Sequence, residues 1–298
     1  MEGAIQIGSQ WYIPAPSPRA DDRARVLKGG DTFAVFNRHG DISRIGLGEQ
    51  GLYSLGTRHL SQWELTVAGR SPLLLNSTVK LDNSVLLVDQ TTPDLYLGGR
   101  LWLAKGRVHL RRSLAVHDCA LYERLKVASY HGEPITIEFE YRFAADFRDI
   151  FEVRGAKRSR RGVGLEPRRD TNQAMVLGYR GLDGVVRRTR LSLEGPSPEL
   201  TPATARFSLE LSPRTPVEIE ARIACASGEA YFCRGTHSAA LWELDRAARR
   251  RPCIPPWLVR RRCGPVAPCS CCCKPAWGSV SPRRPRTSAS IIRVCRIS

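Results

Sequence analysis

Acidic residues set among cations are the first place to look for chemistry in this chain, and residues 144–155 hold the densest such group. Ala144-Ala-Asp-Phe-Arg-Asp-Ile-Phe-Glu-Val-Arg-Gly155 carries Asp146, Asp149 and Glu152 beside Arg148 and Arg154, with four bulky apolar residues between them. Two carboxylates roughly 5–9 Å apart would suit hydrolysis of a glycosidic bond. The same residues equally suit a structural junction, in which acids at a strand end cap the following turn and pair with nearby cations. Paired carboxylates arise in ion-pair networks as well as in active sites, and the structural reading is preferred. No catalytic residue is therefore assigned. Asp146, Asp149, Glu152 and Arg154, together with Arg58, are expected to form a surface facing another domain or a glucan.

Other chemistry lacks its mechanical parts. The sequence contains no G-x-x-x-x-G-K-[ST], G-x-S-x-G or H-E-x-x-H pattern, so nucleotide, α/β-hydrolase and zincin readings have no support. The six histidines are too dispersed to nominate a metal site, and no cofactor is expected. Cys263, Cys269 and Cys271-Cys272-Cys273 invite a zinc reading, but three adjacent thiolates cannot readily meet at one tetrahedral ion. Tyr53, Trp63, Trp102 and Tyr122 could stack on sugar rings, although packing is the commoner fate of such residues. Asn76-Ser-Thr78 is a glycosylation sequon without a secretory signal to make it meaningful. Lys157, Arg158, Arg160, Arg161, Arg168 and Arg169 form a basic stretch that could hold a polyanion. It lacks the interleaved aromatics of a single-strand binder, so nucleic acid is not the expected partner.

These residues must be positioned by strands. Ile135, Ile137, Phe139, Tyr141 and Phe143 alternate with polar residues, the pattern of a half-buried antiparallel strand. The 144–155 stretch follows directly from it. Similar alternation predicts strands at 205–211 and 217–223, and shorter runs predict them at 62–67, 73–75, 84–90, 107–110, 121–127, 175–179 and 185–193. Residues 32–36 and 41–45 flank Asn37-Arg-His-Gly40 as a hairpin would, and 62–67 and 73–75 are expected to pair. Residues 46–51, 91–99 and 156–169 read as loops. About a dozen short strands at this spacing imply an all-β fold, an antiparallel β-sandwich of the supersandwich kind. Only Ser238–Arg250 has helical spacing.

The expected domains are a flexible leader over 1–25, the sandwich over 26–237, a linker helix over 238–250 and an irregular tail over 251–298. Net charge is +17, but past Arg250 the chain has nine Arg, one Lys and no acid. The tail thus carries most of the charge, and the body is only mildly basic. Its abrupt change of composition suggests translation in a shifted frame. Seven of the ten cysteines lie there; Cys119, Cys225 and Cys233 are scattered through the body, which predicts buried thiols in a reducing compartment. The N-terminus resembles no signal peptide and no run approaches a membrane span, so a cytoplasmic location without membrane contact is expected.

The body resembles the N-terminal domain of bacterial and archaeal-type glycogen debranching enzymes, the amylo-α-1,6-glucosidase group. The residues that carry the resemblance are Leu27-Lys-Gly-Gly-Asp-Thr-Phe-Ala-Val-Phe-Asn-Arg-His-Gly-Asp-Ile42, Gly51-Leu-Tyr-Ser-Leu-Gly-Thr-Arg-His-Leu-Ser61, Leu74-Leu-Asn-Ser-Thr78, Leu121-Tyr-Glu-Arg-Leu125 and Asp146–Gly155. In place of the Arg-Asp that usually follows Gly-Leu-Tyr and one further residue, this chain has Leu55-Gly56. The resemblance implies a β-sandwich that precedes an (α/α)₆ catalytic toroid, with the glycosidase acid and base in the toroid. It further implies an accessory role in α-glucan metabolism, with the catalytic domain as partner and a glucan as a further contact, and no intrinsic glucosidase activity.

Overall fold

Alternation of apolar and polar residues dominates the chain, and the computed structural model turns it into antiparallel sheets. It describes residues 24–250 apart from 44–47, 81, 231 and 234, with two short backbone strands ahead of them. The expected leader, beyond those two strands, and the expected tail lie outside the described residues. In chain order the strands are β1 (Ile5–Ile7), β2 (Gln10–Tyr12), β3 (Arg25–Gly29), β4 (Thr32–Phe36), β5 (Gly51–Ser54), β6 (Thr57–Leu60) and β7 (Gln62–Val67). Next come β8 (Leu73–Val79), β9 (Val85–Thr91), β10 (Leu95–Leu97), β11 (Arg100–Leu103), β12 (Val108–His117), β13 (Ala120–Ser129) and β14 (Ile135–Ala144). After the one-turn helix α1 (Ile150–Val153) follow β15 (Val163–Thr171), β16 (Ala174–Arg180), β17 (Val186–Glu194), β18 (Glu199–Leu200), β19 (Thr204–Leu211), β20 (Val217–Ser227) and α2 (His237–Arg250).

An eight-stranded sheet in the order β15-β16-β17-β20-β13-β12-β9-β8 forms one layer of a β-sandwich. Two four-stranded sheets, β18-β19-β14-β7 and β3-β4-β5-β6, face it. They are joined to each other by bridges at Ile42–Trp63 and Thr57–Asp149. One apolar core runs between the layers, from Leu27 and Phe36 through Trp63, Leu114, Phe139 and Phe207 to Ile223 and Cys225. In β14 and β19 every second residue enters it, paired as Ile137 opposite Leu209 and Phe139 opposite Phe207, as the period of a strand requires.

Several expectations are corrected. Residues 62–67 and 73–75 belong to different sheets: β7 pairs with β14, and β8 with β9. The 32–36 strand pairs with β3 and β5 rather than with 41–45, because Ile42 crosses to bridge Trp63. Residues 163–169 of the expected 156–169 loop belong instead to the edge strand β15. Every residue of β15 is exposed, so it is ordered by backbone pairing with β16 and not by burial, and its Pro167 and arginines suit an open edge. The 91–99 loop contains β10. Cys119 and Cys233 are not free thiols but form a disulfide, with Cα atoms 6.2 Å apart, while Cys225 is a buried thiol. A separation of 114 residues gives no sequence signal of such pairing.

Within the core lies a charged cluster. Arg112 on β12 and Glu123 on β13 are both completely buried. Arg112 Nε donates to Glu123 Oε1 at 2.6 Å and Nη2 to Oε2 at 3.2 Å. From the facing layer Trp63 Nε1 donates to Oε2 at 2.6 Å and the Tyr141 hydroxyl to Oε1 at 3.0 Å. Arg112 Nη1 reaches the His39 carbonyl at 2.9 Å and the Asp41 carboxylate. Burial pushes the Asp41 carboxyl up to about 6, with the Arg112 guanidinium opposing it.

Breaking a buried pair strands a charge, whereas replacing both partners by apolar groups does not. Glu123→Ala is therefore expected to cost about 3–5 kcal/mol in chemical denaturation, and the combined Arg112→Met and Glu123→Leu replacement considerably less. A cost under about 1 kcal/mol for the single change, within the range of an exposed pair, would contradict this account.

Candidate functional site

The 144–155 stretch begins where β14 leaves its sheet. Phe147 adopts a left-handed backbone (φ 49°), a conformation that costs a non-glycine residue roughly 1 kcal/mol. The turn sends Phe147 inward, between the His59 ring (5.6 Å, edge-on) and the Tyr179 ring (5.7 Å, stacked). Asp146 is left facing Arg58. Arg58 Nε donates to Asp146 Oδ1 at 3.0 Å, and Nη2 pairs with Oδ2. Arg58 Nη1 also donates to the carbonyls of Gly48 and Gln50, at 2.8 and 3.2 Å. Its side chain lies across Gly51, where a Cβ would stand 2.5 Å from Arg58 Cδ. The β5–β6 turn is Leu55-Gly56, both with positive φ (48° and 76°), as a two-residue hairpin of the primed type requires.

Asp149 caps α1. Its carboxylate accepts from the backbone of Phe151 and Glu152 at 2.8 and 2.9 Å, and Glu152 returns a bond to the Asp149 N–H at 3.2 Å. This is a capping box. Arg158 holds the other Asp149 oxygen at 2.7 Å. Slight burial would raise the Asp149 carboxyl, but the backbone donors and Arg158 outweigh it and hold it below its usual value. Arg161 pairs with Glu152 at 3.2 Å, donates to the Asp146 carbonyl at 2.8 Å and lies over the Tyr179 ring.

Of the expected residues, the structure thus brings Arg58, Asp146, Asp149 and Glu152 into one framework. Arg154 is not part of its ion pairs: its backbone closes α1 at the C-terminal end, and the acids pair instead with Arg58, Arg148, Arg158 and Arg161. Sequence reasoning missed the roles of Arg158 and Arg161 because it read them as one basic stretch. Arg168 pairs with Asp170 and Arg169 donates to the Leu200 carbonyl, so much of that stretch is neutralised or engaged internally.

Beside the framework is a cleft of about 380 Å³, lined by Phe143–Phe147, Arg161, Gly162, Leu165, Tyr179 and Ala203 among others. Asp146 is the one carboxylate on its wall, and both its oxygens are occupied by Arg58. A second acid across the cleft, which glycoside hydrolysis needs, is missing from the lining. Leu55 and Phe151 stand exposed close by, at 71% and 63%, linked through the bond from Ile150 N–H to the Gly56 carbonyl. Of the aromatic candidates for sugar contact, Tyr53, Trp63 and Tyr122 are buried; Trp102 is half-exposed on the β10–β11 hairpin. No cluster suited to a metal ion occurs among the described residues, and no described helix is long and apolar enough to cross a membrane.

The sequence profile described as the N-terminal domain of (some) glycogen debranching enzymes matches residues 27–222. The chain belongs to this family. A comparison with curated proteins finds no match. Among solved structures, a protein described as a kojibiose phosphorylase from the human microbiome is 13% identical (TM-score 0.42), the likeness covering 75% of this chain and 33% of that one. A heparinase III is 10% identical (TM-score 0.42), with 69% and 34% covered. A galactose mutarotase-like protein from Lactobacillus casei is 9% identical (TM-score 0.38), with 68% and 100% covered. The chain spans about a third of the length of the first two.

Asp149→Ala removes the cap and the Arg158 pair together, and should destabilise the junction by about 1 kcal/mol. Hydrogen exchange should quicken over residues 150–156 and not in β14; unchanged exchange there would show that the cap does not hold the junction.

His59 supplies a pH test. It is fully buried with Nε2 unpartnered, and burial lowers its pKa from 6.5 to about 4. The unfolded chain binds the proton more readily, so this stability is present above pH 6.5 and lost as pH falls toward 4. It amounts to roughly 3 kcal/mol at most. Asp41, raised from 3.8 to about 6, acts with the opposite sign, its contribution being lost as pH rises through 6. His59→Leu should therefore remove the acid-side loss between pH 6.5 and 4 in denaturation curves. A pH dependence unchanged from the parent chain would contradict the assignment.

Proposed function

We propose that this domain is a non-catalytic accessory module of an amylo-α-1,6-glucosidase-type debranching enzyme, and that it docks an (α/α)₆ catalytic domain through the 144–155 junction. The observation that carries the reading is the saturation of the junction carboxylates. Asp146, Asp149 and Glu152 are each held by arginine or backbone donors, beside the exposed apolar pair Leu55 and Phe151. A carboxylate that must donate a proton needs a raised pKa, and Asp149 is pushed the other way. A fixed ion-pair frame around exposed apolar side chains is what a docking surface offers. The family supports the partner, because it is defined as the N-terminal part of debranching enzymes. A cytoplasmic role in α-glucan breakdown accords with the reading, with the adjoining cleft available for glucan contact. The polyanion alternative is weakened by the internal pairing of Arg158, Arg161, Arg168 and Arg169.

Titrated with a separately expressed catalytic domain of a debranching enzyme from this family, the chain is expected to bind it. Phe151→Asp should weaken that binding about tenfold or more, the loss of one buried anchor. Affinity unaffected by both Leu55→Asp and Phe151→Asp would move the docking surface elsewhere. Hydrolysis of a limit dextrin by the chain alone, abolished by Asp146→Asn, would overturn the non-catalytic reading.

A further inference from the structure

Beyond β20 the chain passes over the outer face of the eight-stranded sheet into α2, and its non-covalent anchors there are few among the described residues. Arg222 Nη1 donates to the Gly235 carbonyl at 2.9 Å, Arg124 Nη2 to Ser238 Oγ at 2.6 Å, and His237 Nε2 lies 3.1 Å from Ser113 Oγ. Ala240 joins Ala120, Tyr122 and Ala224 in a small apolar cluster, with Phe232 at its side. Among the described side chains of α2 only His237 and Ala240 are buried, and Trp242 is 59% exposed. A fourteen-residue helix with so small a buried face is marginal by itself.

The main core does not involve this segment: its last member is Cys225, ahead of the exit segment. The covalent tie is the Cys119–Cys233 disulfide, from the β12–β13 turn to the chain just before α2. Both cysteines are half-buried, so a small thiol can approach. Cys225 is close in the backbone, its N–H donating to the Cys119 carbonyl at 2.8 Å, but its thiol lies in the core and burial pushes its pKa up. It is thus unsuited to exchange with the pair.

We propose that the Cys119–Cys233 disulfide is a reducible latch that holds the exit segment and α2 against the sheet, and that a dithiol reductant releases them locally while the sandwich stays folded. A reductant thiolate attacks one sulfur of the bond, forms a mixed disulfide and expels the other cysteine as a thiolate, which takes up a proton. The second reductant thiol then closes its own disulfide and frees the remaining cysteine. Two electrons pass to the protein, which gains two thiols, and the dithiol becomes a disulfide.

The test uses the 298-residue chain with the seven cysteines beyond residue 250 replaced by serine, so that only Cys119, Cys225 and Cys233 report. Denatured without reductant it should show one free thiol, and three after dithiothreitol. Hydrogen exchange in peptides spanning 237–250 should accelerate about tenfold or more on reduction, as expected when a sub-global unit loses its closure, with β14 and β20 unchanged. Cys119→Ser should show the fast exchange with or without dithiothreitol. Three free thiols before reduction would overturn the proposal, as would α2 exchange that ignores reduction. Equal acceleration in α2 and in the core strands would also overturn it, because the bond would then hold the whole domain and not a latch.

Discussion

Everything in the sandwich must accommodate a guanidinium and a carboxylate with no access to water. Arg112 and Glu123 occupy adjacent strands of the large sheet, each at a position whose neighbours two residues away are apolar core, such as Leu110, Leu114, Leu121 and Leu125. Removing such ions from water costs several kcal/mol each, and only a complete set of partners makes the site tolerable. Glu123 accepts four hydrogen bonds, two from Arg112 and one each from Trp63 and Tyr141. The last two come from the opposite layer. A slip of one residue in β7 or β14 would turn Trp63 or Tyr141 away and strand the charge, so the network fixes how the layers align. Asp41 completes it from the β4–Ile42 connection, presented by a turn in which Asn37 Oδ1 accepts from the His39 and Asp41 N–H groups.

The junction inherits its position from that alignment. Tyr141 lies three residues before the end of β14, with its ring stacked on Trp63 at 4.4 Å, so the point at which the strand ends is set by the buried cluster. From there the left-handed Phe147 places one side chain in the core and leaves Asp146 for Arg58. Arg58 is itself placed by β6, whose turn also receives Ile150. Individually exposed ion pairs add little stability. Here they are chained through backbone bonds from Gly48 and Gln50 to α1, and the consequence is a defined surface rather than a strong one.

The parts of this fold that local pattern can encode were legible in the sequence. Strict alternation placed β14 and β19 within a residue and the start of β20, which runs four residues past the expected 223, and helical spacing located α2, because periodicity follows directly from backbone geometry. Partner choice is not local, and there the reading failed: β7 and β8 look like a hairpin but serve different sheets. β15 has no inward face to create a pattern. The buried pair was equally invisible, since Arg112 sits in Leu110-Arg-Arg-Ser-Leu114 and only one of the two arginines turns inward. The family motif Leu121–Leu125 contained Glu123, but a motif does not state that its acid is buried. At the junction, the acids and two of their partners, Arg58 and Arg148, were identified; Arg158 and Arg161, from the stretch after α1, were not, and Arg154, the other near neighbour, does not take part.

That pattern of partners bears on what the charge of the chain means. A basic stretch signals an anionic partner only where its charge is free to act at a distance. Around the junction, Arg58, Arg148, Arg158 and Arg161 lie against Asp146, Asp149 and Glu152, so these charges offset one another at close range, although cations outnumber acids over residues 144–169 as a whole. What the surface then offers a partner is shape, a rigid frame and the exposed side chains of Leu55 and Phe151. Engaged arginines are poorly placed to hold a polyanion, and exposed apolar side chains beside them suit a protein surface.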